Sequence, residues 1–164
     1  MIKPILKLGD PQLYEISTSV GRDELAQVQA WAADLHDTLL DYRQAYGAGR
    51  AIAAPQIGIK KRLIYLYIDK PCIIVNPTLV FPDAQTMLVA DDCMSFPGLT
   101  VKVQRYKRVI LDYYDAYFVP HRMALEGDLA ELLQHEYDHL DGILATMRAV
   151  DNKAFAFEQL KRDF

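Results

Sequence analysis

Two histidines four residues apart with a glutamate between them, Gln134-His135-Glu136-Tyr137-Asp138-His139-Leu140, form an H-E-x-x-H pattern. On an α-helix, positions i and i+4 share one face about 6 Å apart along the axis, so His135 and His139 can converge on one ion. Glu136 then stands beside the ion without ligating it, where a carboxylate can take a proton from metal-bound water as the general base of a hydrolysis. The same five residues also suit two surface histidines on a charged helix. A catalytic centre needs a third protein ligand and one open position. After His139 only Asp141, Asp151, Glu158 and Asp163 remain, and none is an obvious ligand, so the third one is expected upstream. Cys93 is the best candidate, in Asp91-Asp92-Cys93-Met94-Ser95-Phe96-Pro97-Gly98, because a thiolate binds a borderline metal strongly. Cys72, in Pro71-Cys72-Ile73-Ile74-Val75, reads as strand core.

The elements that must position these residues follow from periodicity. Leu25, Val28, Ala32, Leu35, Leu39, Tyr42 and Tyr46 recur at helical steps, which predicts a helix from Arg22 to Tyr46 with Asp23 as cap and Gly47 as stop. Trp31 and His36 on it read as packing and surface residues. Short β-rich runs broken by Pro, Gly and Asp predict strands at Arg62 to Ile68, Cys72 to Val75, Thr78 to Phe81, Thr86 to Ala90, Thr100 to Val103 and Val109 to Tyr114. A second helix is predicted from Asp128 to Leu140, ended by Gly142, and a third from Asn152 to Lys161. The order indicates an α+β fold: antiparallel sheets packed around a central helix that carries the H-E-x-x-H pattern, with an N-terminal helix and a short C-terminal helix.

Composition narrows the class. The chain has 164 residues, 51% hydrophobic and 24% charged, which suits one soluble domain over residues 1–164 and excludes general disorder. A net charge of −4 with scattered basic residues gives no expectation of nucleic-acid binding. Two cysteines without a C-x-x-C pair indicate a reducing compartment. Neither a signal-peptide core nor an apolar run of about 20 residues is present, so the expected location is the cytoplasm, away from membranes.

Three segments together resemble the peptide deformylase family: Gly49-Arg50-Ala51-Ile52-Ala53-Ala54-Pro55-Gln56-Ile57-Gly58, Asp91 to Pro97, and Gln134 to Gly142. They are similar in order and spacing to its motifs G-x-G-x-A-A-x-Q, E-G-C-L-S and Q-H-E-x-D-H. The resemblance implies a hydrolase that removes the formyl group from the N-terminal methionine of newly made polypeptides, in transient association with the translation machinery. It implies one divalent metal, commonly iron(II), with zinc, nickel or cobalt as alternatives, held by Cys93, His135 and His139. Glu136 would activate the bound water, and Gln56 with the backbone N–H of Met94 would polarise the formyl oxygen. Asp138 would orient a histidine or serve the helix surface.

The chain departs from those motifs around the catalytic set. Ala51 replaces a glycine, Arg50 an apolar residue, Asp91-Asp92 replace Glu-Gly, and Met94 replaces leucine. Glu131 lies four residues before His135 and Asp128 seven before it, on the same helical stripe. The family would be expected to have apolar residues there, in the pocket for the methionine side chain. Arg50 is therefore expected to face Asp128 or Glu131 across a pocket that Ala51 and Leu132 also line; alternatively the acids lie on the solvent face. Three other readings stay open: a deformylase-like amidase for a more polar formylated substrate, such as a small formylated amide, a zinc endopeptidase, and a non-catalytic metal-binding module of the same fold.

Overall fold

The computed structural model describes residues 1–158. Helix α1, Leu25–Tyr46, buries Val28, Ala32, Leu35 and Leu39 as one stripe, which is the spacing its sequence predicts. It stops at Gly47, whose φ of 68° lets its N–H reach Arg43 O at 2.9 Å. Its start differs from expectation. Arg22–Glu24 is a 3-10 turn, and Glu24 rather than Asp23 closes it, accepting the Gly21 N–H at 2.8 Å.

Among the described residues eight strands follow in chain order: β1 Ala51–Ala53, β2 Leu63–Tyr67, β3 Pro71–Val80, β4 Thr86–Asp92, β5 Leu99–Tyr106, β6 Arg108–Tyr114, β7 Pro120–Glu126 and β8 Phe155–Phe157. They form an antiparallel five-stranded sheet, β1-β2-β3-β6-β7, and an antiparallel three-stranded one, β4-β5-β8. Helix α2, Asp128–Leu140, has the predicted bounds. The fold is α+β, as expected.

Alternation in the short central strands places the five-stranded sheet between the two helices. Leu63 and Tyr65 of β2 pack with Ile52 against α1. Ile64 and Leu66 point the other way and pack with Ala51, Ala53, Leu132, Leu133 and Leu140. The opposite flank of α2 meets the three-stranded sheet, whose inward residues Val101 and Val103 pack with Cys93, Phe96 and Leu144. With sheets on both flanks, α2 is buried nearly all round from Ala130 to Leu140 in spite of its polar sequence. No helix among the described residues is long and apolar enough to cross a membrane.

Three expectations are corrected. The two strands expected on either side of Asn76-Pro77 are one strand, β3, with a bulge between Val75 and Thr78. Asn76 adopts φ 49° there, and its amide exchanges hydrogen bonds with the Val20 backbone at 2.8 and 2.9 Å. Strands β1 and β7 were not expected, being short and Ala-rich in one case and polar in the other. Within the segment read as a third helix, residues 155–157 pair as β8 with β5, because the edge of β5 offers backbone partners that an isolated turn of helix lacks. Residues 159–161 of that segment lie outside the described residues.

Gly142 ends α2 and fixes its height. Its φ is 70°, and a Cβ at this position would stand 2.5 Å from Tyr14 O; next to it, Ser17 N donates to Leu140 O at 2.9 Å. Gly142→Ala combines a left-handed backbone with a clash against main chain and is expected to lower stability by roughly 2–4 kcal/mol. A fall in the denaturant midpoint at unchanged slope is the measurement.

Candidate metal centre

Each donor at the centre is fixed by a different local device. One helical turn separates His135 and His139, and their Nε2 atoms lie 3.2 Å apart. Cys93 follows the end of β4 in a turn closed by Phe96 N donating to Cys93 O at 3.0 Å, which aims Sγ to 3.3 Å from His139 Nε2. The three ligand atoms lie within 4.8 Å of one another, and all three residues are buried. Donors around a tetrahedral zinc-like ion stand about 3.3 Å apart for two nitrogens and about 3.6 Å for nitrogen and sulfur, from ordinary bond lengths. The residues present therefore fit one divalent ion with a fourth position open.

Glu136, next to His135 in the chain, is buried, and its Oε2 has no hydrogen-bond partner among the described residues. Burial pushes its carboxyl up to about 7 against the pull of His135. Gln56 lies in a 3-10 turn, Ala54–Ile57, after β1. Its Oε1 accepts the Ala53 N–H at 2.9 Å, which turns Nε2 toward Ser95 Oγ at 3.2 Å and Cys93 Sγ at 3.5 Å. The N-terminal segment ties these two loops together: Leu6 N donates to Gln56 O and Leu8 N to Ser95 O, both at 2.8 Å, and Lys7 Nζ donates to Met94 O at 2.9 Å.

Behind the ligands runs a chain of charges that sequence reasoning missed. His135 Nδ1 lies 2.8 Å from Asp91 Oδ1, off the line of a good N–H···O bond. Arg105, reaching in from β5, donates to Asp91 at 2.7 Å and to Asp138 at 2.5 Å. Arg148 then grips both oxygens of Asp138 at 2.6 and 2.7 Å. Asp138 thus holds two guanidiniums and not a histidine, which corrects that expectation. Burial alone would raise Asp91, but His135 and Arg105 outweigh it and hold its carboxyl down at about 2. Burial lowers His135, yet Asp91 and Cys93 more than offset it and raise its pKa well above the usual value. The pocket draws positive charge to this ring, and a divalent ion competes with the proton for it. The available signal for Arg105 was its parity: Val101, Val103 and Arg105 share the inward face of β5.

A cavity of about 330 Å³ opens beside the centre and includes Arg50, Ala51, Gln56, Met94, Glu131 and Leu132 in its wall. Arg50 pairs with Asp128 Oδ2, and its Nη2 lies 3.9 Å from Glu131 Oε2. Asp128 itself stands outside the wall, largely exposed. Burial, reinforced by Asp91, pushes Glu131 up to about 7.

The polypeptide deformylase family model matches residues 2–155. Peptide deformylase 2 of Ralstonia nicotianae is 36% identical over 172 residues, which cover 98% of this chain and 94% of that protein. The peptide deformylase of Brucella suis is 34% identical over 149 residues, covering 87% and 82%. Among solved structures, the class I type b peptide deformylase of Acinetobacter baumannii with bound Met-Ala-Ser superposes with a TM-score of 0.82 at 28% identity, covering 90% of this chain and 98% of that one. The Thermotoga maritima peptide deformylase gives 0.83 at 29%, covering 92% and 99%.

Arg105→Met would leave Asp91 and Asp138 buried with less compensation. It is expected to cost about 3–5 kcal/mol of stability and to weaken binding of a divalent ion about 10- to 100-fold through the loosened His135. Chemical denaturation and a metal-competition titration measure the two effects.

Proposed function

The chain belongs to the polypeptide deformylase family, and from that premise we propose that the centre described above removes the formyl group from the N-terminus of peptides. It is a metal-dependent hydrolase acting on a linear amide, and the formyl-methionyl end of newly made polypeptides is the substrate the family implies. The observation that carries the assignment of residues is the convergence of Cys93 Sγ, His135 Nε2 and His139 Nε2 beside a buried, unpartnered Glu136 Oε2. A structural site would use four protein ligands and have no need of a base, which argues against a non-catalytic module.

Cys93, His135 and His139 would hold the divalent ion, which would supply Lewis-acid chemistry to the formyl carbonyl and to the attacking water at neutral pH. Glu136 takes the proton of the attacking water at a carboxylate oxygen and delivers it to the amide nitrogen as the C–N bond breaks, so formate and a free amine leave. Gln56 Nε2–H and the Met94 N–H donate to the formyl oxygen as it gains negative charge. Both donors are fixed before substrate arrives, Gln56 by the Ala53 N–H and the Met94 loop by Lys7 and Leu8, so little reorganisation is needed at the moment of reaction. No acceptor among the described residues takes the Met94 N–H.

The ion we assign is iron(II). Two imidazoles and a thiolate also accept zinc, nickel or cobalt, and anaerobic metal analysis coupled to formate release distinguishes them. We assign residues 1–164 to one unit of the family, working in the cytoplasm in transient association with the translation machinery that makes its substrate.

Glu136→Gln is expected to lower formate release by about 10²- to 10⁴-fold while one equivalent of cobalt or zinc still binds. Gln56→Ala is expected to lower kcat by about 10²- to 10³-fold with metal content unchanged. Full activity in the Glu136 variant would reject it as the base.

A further inference from the structure

The cavity beside the centre has a wall that takes no part in hydrolysis, formed by Arg50 from the turn before β1 and by Glu131 and Leu132 from the first half of α2. In any formylated amine, the carbon that bears the first side chain is two bonds from the formyl carbon. With the formyl group between Glu136, Gln56 and the Met94 N–H, that side chain has to lie in the same cavity.

The wall is poorly suited to a thioether. The Glu131 side chain is 13% exposed and takes no hydrogen bond among the described residues; its nearest cationic atom is Arg50 Nη2 at 3.9 Å. The other arm of Arg50 is engaged by Asp128. Asp92 adds a further carboxylate to a cavity lining that also includes Asp91 and Glu136. An apolar side chain entering here would strip water from Glu131 and return nothing to it. A side chain ending in an ammonium or guanidinium would bring both charge and N–H donors, while Tyr42 and Leu132 of the cavity lining offer apolar surface to its methylene stem.

We propose that Glu131 is a specificity-determining residue and that this cavity ranks formylated peptides or amines with a basic first side chain above formyl-methionyl ones. The inference rests on the deformylase reading of the centre and concerns only what the cavity selects. It is tested by formate release from formyl-Lys-Ala-Ser and formyl-Met-Ala-Ser with the iron-loaded protein. Calorimetric binding of unformylated Lys-Ala-Ser and Met-Ala-Ser to the same protein gives a readout that needs no turnover. The lysine peptide is expected to be favoured about tenfold or more in kcat/KM and in affinity. Glu131→Leu is expected to reverse the order, and Arg50→Leu, which removes the competing cation, to strengthen it. Methionine preferred or equal in the unaltered protein, by binding and by turnover, overturns the inference. Formate released from neither peptide, with the lysine preference kept in binding, overturns the deformylase reading and supports the cavity assignment; loss of both signals overturns both.

Discussion

Arg105 is the residue on which the geometry of the centre depends. Its guanidinium is buried between Asp91 and Asp138, and each of those carboxylates is tied to a metal-ligand position. Asp91 stands two residues before Cys93 and against His135 Nδ1, while Asp138 immediately precedes His139. One cation from β5 thereby couples the end of β4 to both ends of the H-E-x-x-H turn. A buried charge without partners would cost several kcal/mol, so this arrangement persists only with all its members in place. Arg148 supplies the second cation and leaves the row of two acids and two arginines without excess charge before His135 is counted. Gln134 adds a neutral tie, exchanging hydrogen bonds with Tyr106 N and O at 2.9 and 2.8 Å, which fixes α2 against the end of β5.

The sheets make such a network affordable by removing water from it. Helix α2 has an apolar stripe for the five-stranded sheet and a polar stripe that would ordinarily face solvent. Here the polar stripe faces the three-stranded sheet and the site. Every polar group on it then needs a protein partner or a ligand. Gln134 and Asp138 find protein partners; Glu136 Oε2 and His139 Nδ1 do not. The first of these is the atom assigned to move a proton. Burial keeps the Glu136 carboxyl up near neutrality, where it can both accept and return a proton.

Legibility in the sequence followed the range of the interactions. Helix α2 could be read to the residue because its periodicity and the stop at Gly142 are local. The triad Cys93, His135 and His139 could be read because ligand chemistry restricts residue types so strongly. Strand β3 was read as two pieces since Asn76-Pro77 is a local breaker, and it is the distant backbones of Val20 and Arg62 that meet the hydrogen-bonding groups of Asn76 at the bulge. Strand β7 was missed because His121-Arg122-Met123 has no alternation; its pairing with β6 is specified from across the sheet, with Arg122 gripping Asp112 at 2.6 and 2.8 Å. Arg105 was missed for a related reason. The expected strand ends at Val103, whereas β5 runs to Tyr106, and an arginine past a strand end reads as solvent-facing until the acids that neutralise it are known, 14 and 33 positions away.

The cavity wall and the centre obey different physical constraints. Exchanging His135 or Cys93 for another residue removes a donor from a buried set and leaves the others facing unmet charge. The side chains of Arg50 and Asp128, by contrast, are 40% and 74% exposed, so water screens their pairing and little stability is at stake in it. Glu131 is the intermediate case, 13% exposed and 3.9 Å from Arg50 Nη2, so its carboxylate depends on the water of the cavity rather than on a strong bond to protein. A group held in that condition is sensitive to whatever enters the cavity next. Selectivity is therefore assigned to Glu131, the wall residue whose hydration changes with whatever side chain enters the cavity.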